Sequence, residues 1–102
     1  MRLKKQFLKS KPECKVTFEL SKEAVAGVKT VHLVGDFNQW DETAMPLKKQ
    51  KDGNYKLSLS LALDGKYQFR YLLDGERWEN DWEADEYITS PFPGIENSVV
   101  YT

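Results

Sequence analysis

One histidine, one cysteine and sixteen acidic side chains are what this 102-residue chain offers for catalysis. His32 lies inside the apolar run Val31 to Val34, with no nucleophile and orienting partner beside it, which suits a packed or edge position better than a general base. Cys14 reads as filler of a core or edge, and it has no second cysteine with which to form a disulfide. No glycine-rich phosphate loop and no metal-ligand spacing occurs. A hydrolytic pair of carboxylates needs a separation of about 5–10 Å and a cleft that excludes water, for which a domain of this size has little spare volume. The chain is therefore expected to be no enzyme, with no cofactor and no metal.

The tryptophans carry a different chemistry. Gly35-Asp36-Phe37-Asn38-Gln39-Trp40 sets a large ring at the end of a loop rich in turn formers. Such a ring either plugs one end of the fold or presents a flat apolar face and an indole N–H, which suit the C–H face and hydroxyl rim of a glucose unit. A second signal is the run from Lys66 to Trp78, where outward-facing Gln68 and Arg70 supply polar groups near Trp78. Register decides whether they meet. A two-residue turn at Asp74-Gly75 sets Trp78 opposite Tyr71, on the core side. A three-residue loop, Leu73-Asp74-Gly75, sets it opposite Arg70, where a polar and aromatic site forms. Trp82, flanked by acids, reads as a surface anchor or a third sugar-contact ring.

Strands must position these residues, because period-two alternation dominates the chain. Val16, Phe18 and Leu20 share one face, as do Val31 and Leu33, then Tyr55, Leu57, Leu59 and Leu61, then Tyr67, Phe69, Tyr71 and Leu73. Asp52-Gly53-Asn54 and Asp64-Gly65 mark turns, Pro91, Pro93 and Gly94 mark a loop, and Ser98 to Tyr101 closes the series. The stretch after Ser21 is too short for more than one helical turn, being interrupted by Gly27. The expectation is an all-β, immunoglobulin-like antiparallel sandwich of two sheets and about seven short strands. Residues 13–102 form its single domain, and the basic residues 1–12 an N-terminal extension or edge strand.

With 30% charged residues and a formal net charge of -1, the chain has no overall pull on nucleic acid or an anionic membrane. The start is basic and the stretch from Asp74 to Glu86 acidic, which reads as solvated edges. No apolar segment has the length of a signal peptide core or a membrane span. These features point to an untargeted cytoplasmic protein.

The ordered set Val31-His32-Leu33-Val34-Gly35-Asp36-Phe37-Asn38-Gln39-Trp40, Met45-Pro46-Leu47, Asp52-Gly53, Gly65-Lys66-Tyr67-Gln68-Phe69-Arg70, Asp74-Gly75 with Trp78, and Glu96-Asn97-Ser98-Val99-Val100 resembles carbohydrate-binding module family 48. That family includes the glycogen-binding domain of the AMP-activated protein kinase beta subunit and the early-set domains of isoamylases and branching enzymes. The resemblance covers most of residues 13–102. It implies a non-catalytic site for an α-1,4-glucan, glycogen, starch or a maltooligosaccharide, with Trp40 and Trp78 stacking on glucose and Arg70, Gln68 and Asn97 giving polar contacts. Two alternatives follow from it: a glucan-binding module, or an interaction module without sugar binding that docks on a glucan-metabolising enzyme or kinase. Arg70 stands where the kinase-type domain has lysine, exchanging a point donor for a planar fork. Glu76-Arg77 stands where that domain has a single residue before the tryptophan, and Pro93-Gly94-Ile95 where it offers leucine and threonine.

Overall fold

Cys14, Val16, Phe18 and Leu20 are all fully buried, each separated from the next by one residue of the opposite face. This alternation recurs through the computed structural model, which describes residues 2–8, 10–90 and 95–102. Among them nine strands form: β1 (Arg2–Phe7), β2 (Glu13–Leu20), β3 (Val31–Gly35), β4 (Lys48–Lys49), β5 (Tyr55–Ala62), β6 (Lys66–Leu73), β7 (Arg77–Glu79), β8 (Glu86–Thr89) and β9 (Glu96–Tyr101). One sheet has the order β1-β2-β5-β4 and the other β3-β6-β9-β8, with β7 paired to β6. Every pairing is antiparallel.

The two sheets enclose one core, in which Phe18 meets Phe69 edge to face at 5.2 Å between centroids and Phe69 meets Tyr71 likewise at 5.6 Å. Such contacts add to the burial term that holds the layers together. The expected all-β antiparallel sandwich is what the chain forms. The short strand expected through Trp78 forms as β7; the strands beyond the expected seven are β4, of two residues, and β8, of four, lengths at which alternation gives little signal. β1 runs along β2 as an edge strand. Its charges, Arg2, Lys4 and Lys5, suit an edge that must not pair with another chain.

Local chemistry fixes the strand ends. The alternation predicts a strand from Val28 to Val34, but β3 starts at Val31, because the Asp74 carboxylate accepts the N–H groups of Lys29 and Thr30 at 2.8 and 2.9 Å and holds them out of the ladder. Residues 22–27 form turns instead of a helix. There the Ser21 carbonyl accepts from Val25 N–H, and Gly27 adopts φ 79°. Beyond β3, Met45-Pro46-Leu47 covers the strand edge: Leu33 N–H donates to Met45 and Leu47 N–H to Val31. The proline-containing loop at Pro91, Pro93 and Gly94 lies outside the described residues. No helix among the described residues is long and apolar enough to cross a membrane.

One polar cluster sits within the sandwich. Tyr71 donates its hydroxyl to the Asp81 carboxylate at 2.7 Å, and Asp81 N–H donates to Ser98 Oγ at 2.9 Å. Burial pushes the Asp81 pKa up, against the opposing pull of the Tyr71 hydrogen bond. Satisfying a buried carboxyl in this way avoids the cost of leaving it bare.

Candidate functional site

Strand β6 presents two faces with opposite tasks. Phe69, Tyr71 and Leu73 point into the core, so alternation turns Gln68, Arg70 and Leu72 to the outer face of the second sheet. Register then builds that face from the neighbours. Leu72 lies opposite His32 and Arg70 opposite Val34 on β3, Gln68 lies opposite Val99 on β9, and Trp78 lies opposite Leu72 on β7. Asn97, two residues before Val99, shares the face, and its Nδ2 donates to Gln68 Oε1 at 3.1 Å.

The β6–β7 connection matches neither register expected from the sequence. Asp74 and Gly75 have φ of 53° and 68°, the sign that a type I′ turn requires at both centres, and Glu76 N–H donates to the Leu73 carbonyl at 3.1 Å. Leu73 is nevertheless the ladder partner of Arg77. Two residues thus face one, which makes Glu76 a bulge. The extra residue restores the parity that a plain two-residue turn would lose, and Trp78 falls on the side of Arg70. The Arg70 guanidinium carbon lies 5.5 Å from the centroid of the Trp78 ring, within cation–π range.

Trp40 reaches the same face from a strained turn. A single 3-10 turn, Asp36–Asn38, follows β3, and then Gln39 and Trp40 adopt φ of 54° and 58°. That conformation costs a residue with a Cβ about 1–2 kcal/mol. Three contacts hold it: Trp40 N–H donates to the Gly35 carbonyl at 2.9 Å, and buried Asn38 accepts from Gly35 N–H and donates to the Leu33 carbonyl. The indole Nε1–H donates to Asp36 Oδ1 at 2.9 Å, while Asp36 Oδ2 accepts from Gln68 N–H at 2.8 Å. The carboxylate prolongs the β3–β6 ladder past the end of β3. Gly35 allows this approach, since a Cβ there would lie 2.5 Å from the Gln68 carbonyl oxygen.

Trp40, Gln68, Arg70, Trp78 and Asn97 all line one open groove of about 590 Å³, a size usual for small-ligand clefts. Asp36, Ser90 and Ile95 complete the lining; Ile95 falls in the late loop that the family resemblance marked, whereas Asp36 and Ser90 were not among the expected site residues. For Asp36 the available signal was its spacing of four from Trp40 in a tight turn. Trp82 does not line the groove and is 64% exposed. His32 is half-buried beside Leu72, outside the lining, and its Nδ1 has no partner among the described residues.

Electrostatically the groove combines the Arg70 cation, the Asp36 carboxylate and the amides of Gln68 and Asn97. The Nε of Arg70 is buried without a hydrogen-bond partner among the described residues. Burial lowers the pKa of this guanidinium, and Glu79 opposes that shift. No carboxylate stands at ion-pair distance from Arg70 among the described residues. No group of histidine, cysteine or carboxylate side chains among the described residues is placed to hold a metal ion. Flat aromatic faces beside a planar donor and two amides can take up a ligand with an apolar face and a polar rim.

Residues 15–92 match the family model of carbohydrate-binding module 48, the isoamylase N-terminal domain. An alignment of 59 positions that covers 56% of the chain is 39% identical to the 1,4-alpha-glucan branching enzyme GlgB of Butyrivibrio fibrisolvens. The chain spans 9% of that enzyme's length.

Proposed function

This chain belongs to carbohydrate-binding module family 48, and we propose from that premise that it binds an α-1,4-glucan in the groove on the outer face of its second sheet. One observation carries the reading: two indoles, a guanidinium without a carboxylate partner among the described residues and a bonded pair of amides converge on one open groove. Glucose units stack their C–H faces on Trp40 and Trp78, and the stacking draws on apolar burial over a rigid surface. Arg70 donates to ring hydroxyls, while Asn97 and Gln68 each keep a second polar group beyond their mutual bond. Glycogen, starch and shorter maltooligosaccharides all offer this repeating face.

The role is binding without bond cleavage. Among the described residues the open groove is lined by one carboxylate, Asp36, whose two oxygens are already engaged, whereas glycoside hydrolysis uses an acid and base pair. The similarity to part of a branching enzyme supports a module that holds glucan for an enzyme acting on it. Affinity electrophoresis through a glycogen gel tests the reading, with Trp40→Ala and Trp78→Ala as controls. Retardation lost in both variants is expected. An unretarded wild-type chain, or retardation equal in wild type and variants, overturns it.

A further inference from the structure

We propose that Asp36 is a positioning residue that holds Trp40 against the groove by accepting its indole N–H, so that Trp40 engages a glucan by stacking alone. The inference rests on the glucan-binding reading for its ligand, but the anchoring itself is a property of the free protein. A tryptophan at a turn tip ordinarily has two free torsions and a free donor. Here the Nε1–H is taken up at 2.9 Å by a carboxylate, a charge-assisted bond stronger than one to a sugar hydroxyl. The donor is thus withdrawn from any ligand. The other carboxylate oxygen accepts from Gln68 N–H at 2.8 Å, and the Gln68 side chain is bonded to Asn97.

One exposed carboxylate therefore ties the Trp40 platform to the strand that presents Gln68 and Arg70. The distance between the stacking ring and the polar rim is set by this tie, not by the loop alone. Asparagine at this position would keep an acceptor at one of the two oxygen positions and turn its NH2 donor towards the other N–H group. Alanine would satisfy neither.

The test uses the full chain as wild type, Asp36→Ala and Asp36→Asn, each also combined with Trp40→Phe, which keeps a flat ring and removes the N–H. The first readout needs no ligand: hydrogen exchange of the three indole N–H signals. Faster exchange for Trp40 in Asp36→Ala, with Trp78 and Trp82 unchanged, is expected. Unchanged Trp40 exchange overturns the proposal. The second readout is the maltoheptaose Kd. Asp36→Ala is expected to weaken it about tenfold, as loss of a charged hydrogen bond implies. On the Trp40→Phe background the same substitution should change it less than about twofold, since coupled residues are not additive. An equal loss on both backgrounds means that Asp36 acts through something other than the indole, and overturns the proposal. A wild-type chain that ignores maltoheptaose refutes the glucan reading, while the exchange comparison still decides the anchor. If Asp36→Ala does not fold, Asp36→Asn carries the same comparisons with the smaller effect.

Discussion

Deleting Glu76 should leave glucan binding almost intact, whereas deleting Glu76 and Arg77 together should remove Trp78 from the groove. The reasoning lies in the parity of the hairpin. Leu73 already pairs with Arg77, so removing Glu76 closes Asp74-Gly75 as an ordinary two-residue turn with the same ladder. Removing both residues sets Trp78 opposite Leu73, on the side of the core. The magnitude follows from which ring face is free, because the Arg70 guanidinium lies over the Trp78 ring. A tryptophan can bury up to about 250 Å², so one indole face and the sugar covering it lose about 120 Å² of apolar surface together. At 25 cal/mol per Å² that contributes about 3 kcal/mol. Ordering the sugar on the ring offsets about 1 kcal/mol. The remaining 2 kcal/mol or so corresponds to about a 30-fold change in Kd. Maltoheptaose titration followed by amide shifts reads this, with Trp78→Ala as reference. A Glu76 deletion that weakens binding as much as Trp78→Ala would refute the bulge argument. So would a double deletion that folds and binds like wild type.

Three further outcomes follow from the frame around the groove. Gly35→Ala should destabilise the fold by about 1–3 kcal/mol in urea denaturation, because the new Cβ would lie 2.5 Å from the Gln68 carbonyl oxygen and 2.8 Å from Phe69 Cβ; an unchanged midpoint contradicts this. Tyr71→Phe should cost about 1–3 kcal/mol by stripping a donor from buried Asp81, and should alter the alkaline limb of stability. Burial and then the Asp81 charge raise the Tyr71 pKa, so the native chain keeps a proton that the unfolded chain releases near about pH 10. Stability therefore falls as pH rises past that point, and thermal melts of Tyr71→Phe should lack this contribution. Glu19→Gln should flatten the acid limb. The Asn54 hydrogen bond, followed by Arg2 and Lys56, holds the Glu19 pKa below the ordinary carboxylate value. Its stabilisation is present above about pH 4.3 and is lost as pH falls through the lower folded value. Melts of wild type and variant with the same acid dependence would exclude that role.

The face of each groove residue was legible in the sequence only where alternation runs unbroken. Gln68 and Arg70 sit midway along an eight-residue strand, so their outward direction follows from Phe69 and Tyr71 pointing in. Trp78 was different, because one residue at a turn reverses every side chain beyond it. The two expected registers treated Asp74-Gly75 as either the whole loop or its end. The chain instead makes the tight turn and then bulges at Glu76, with Asp74 pinned by Lys29 and Thr30 from a distant segment. That contact lies 44 to 45 residues away in sequence, beyond the reach of local turn rules. Asp36 was hidden for a related reason. Its spacing to Trp40 is local, but its partner on β6 is supplied by strand pairing.

Val34, Leu72 and Val99 occupy outward positions of the second sheet, yet they are 0%, 2% and 0% exposed, and none belongs to the main core cluster. The outer face of an antiparallel sheet is ordinarily polar and wet. Apolar residues buried at three outward positions on three adjacent strands mean that the face is covered, and here they lie beside residues that line the groove. Arg70 stands opposite Val34 in the ladder, Trp78 opposite Leu72 and Gln68 opposite Val99. The groove residues therefore stand beside buried apolar neighbours on the same face of the sheet. Side chains locked by such packing hold a binding geometry more tightly than side chains on loops. Outward-facing valine and leucine in register on neighbouring strands are thus a sequence signal for a built surface, independent of the tryptophans.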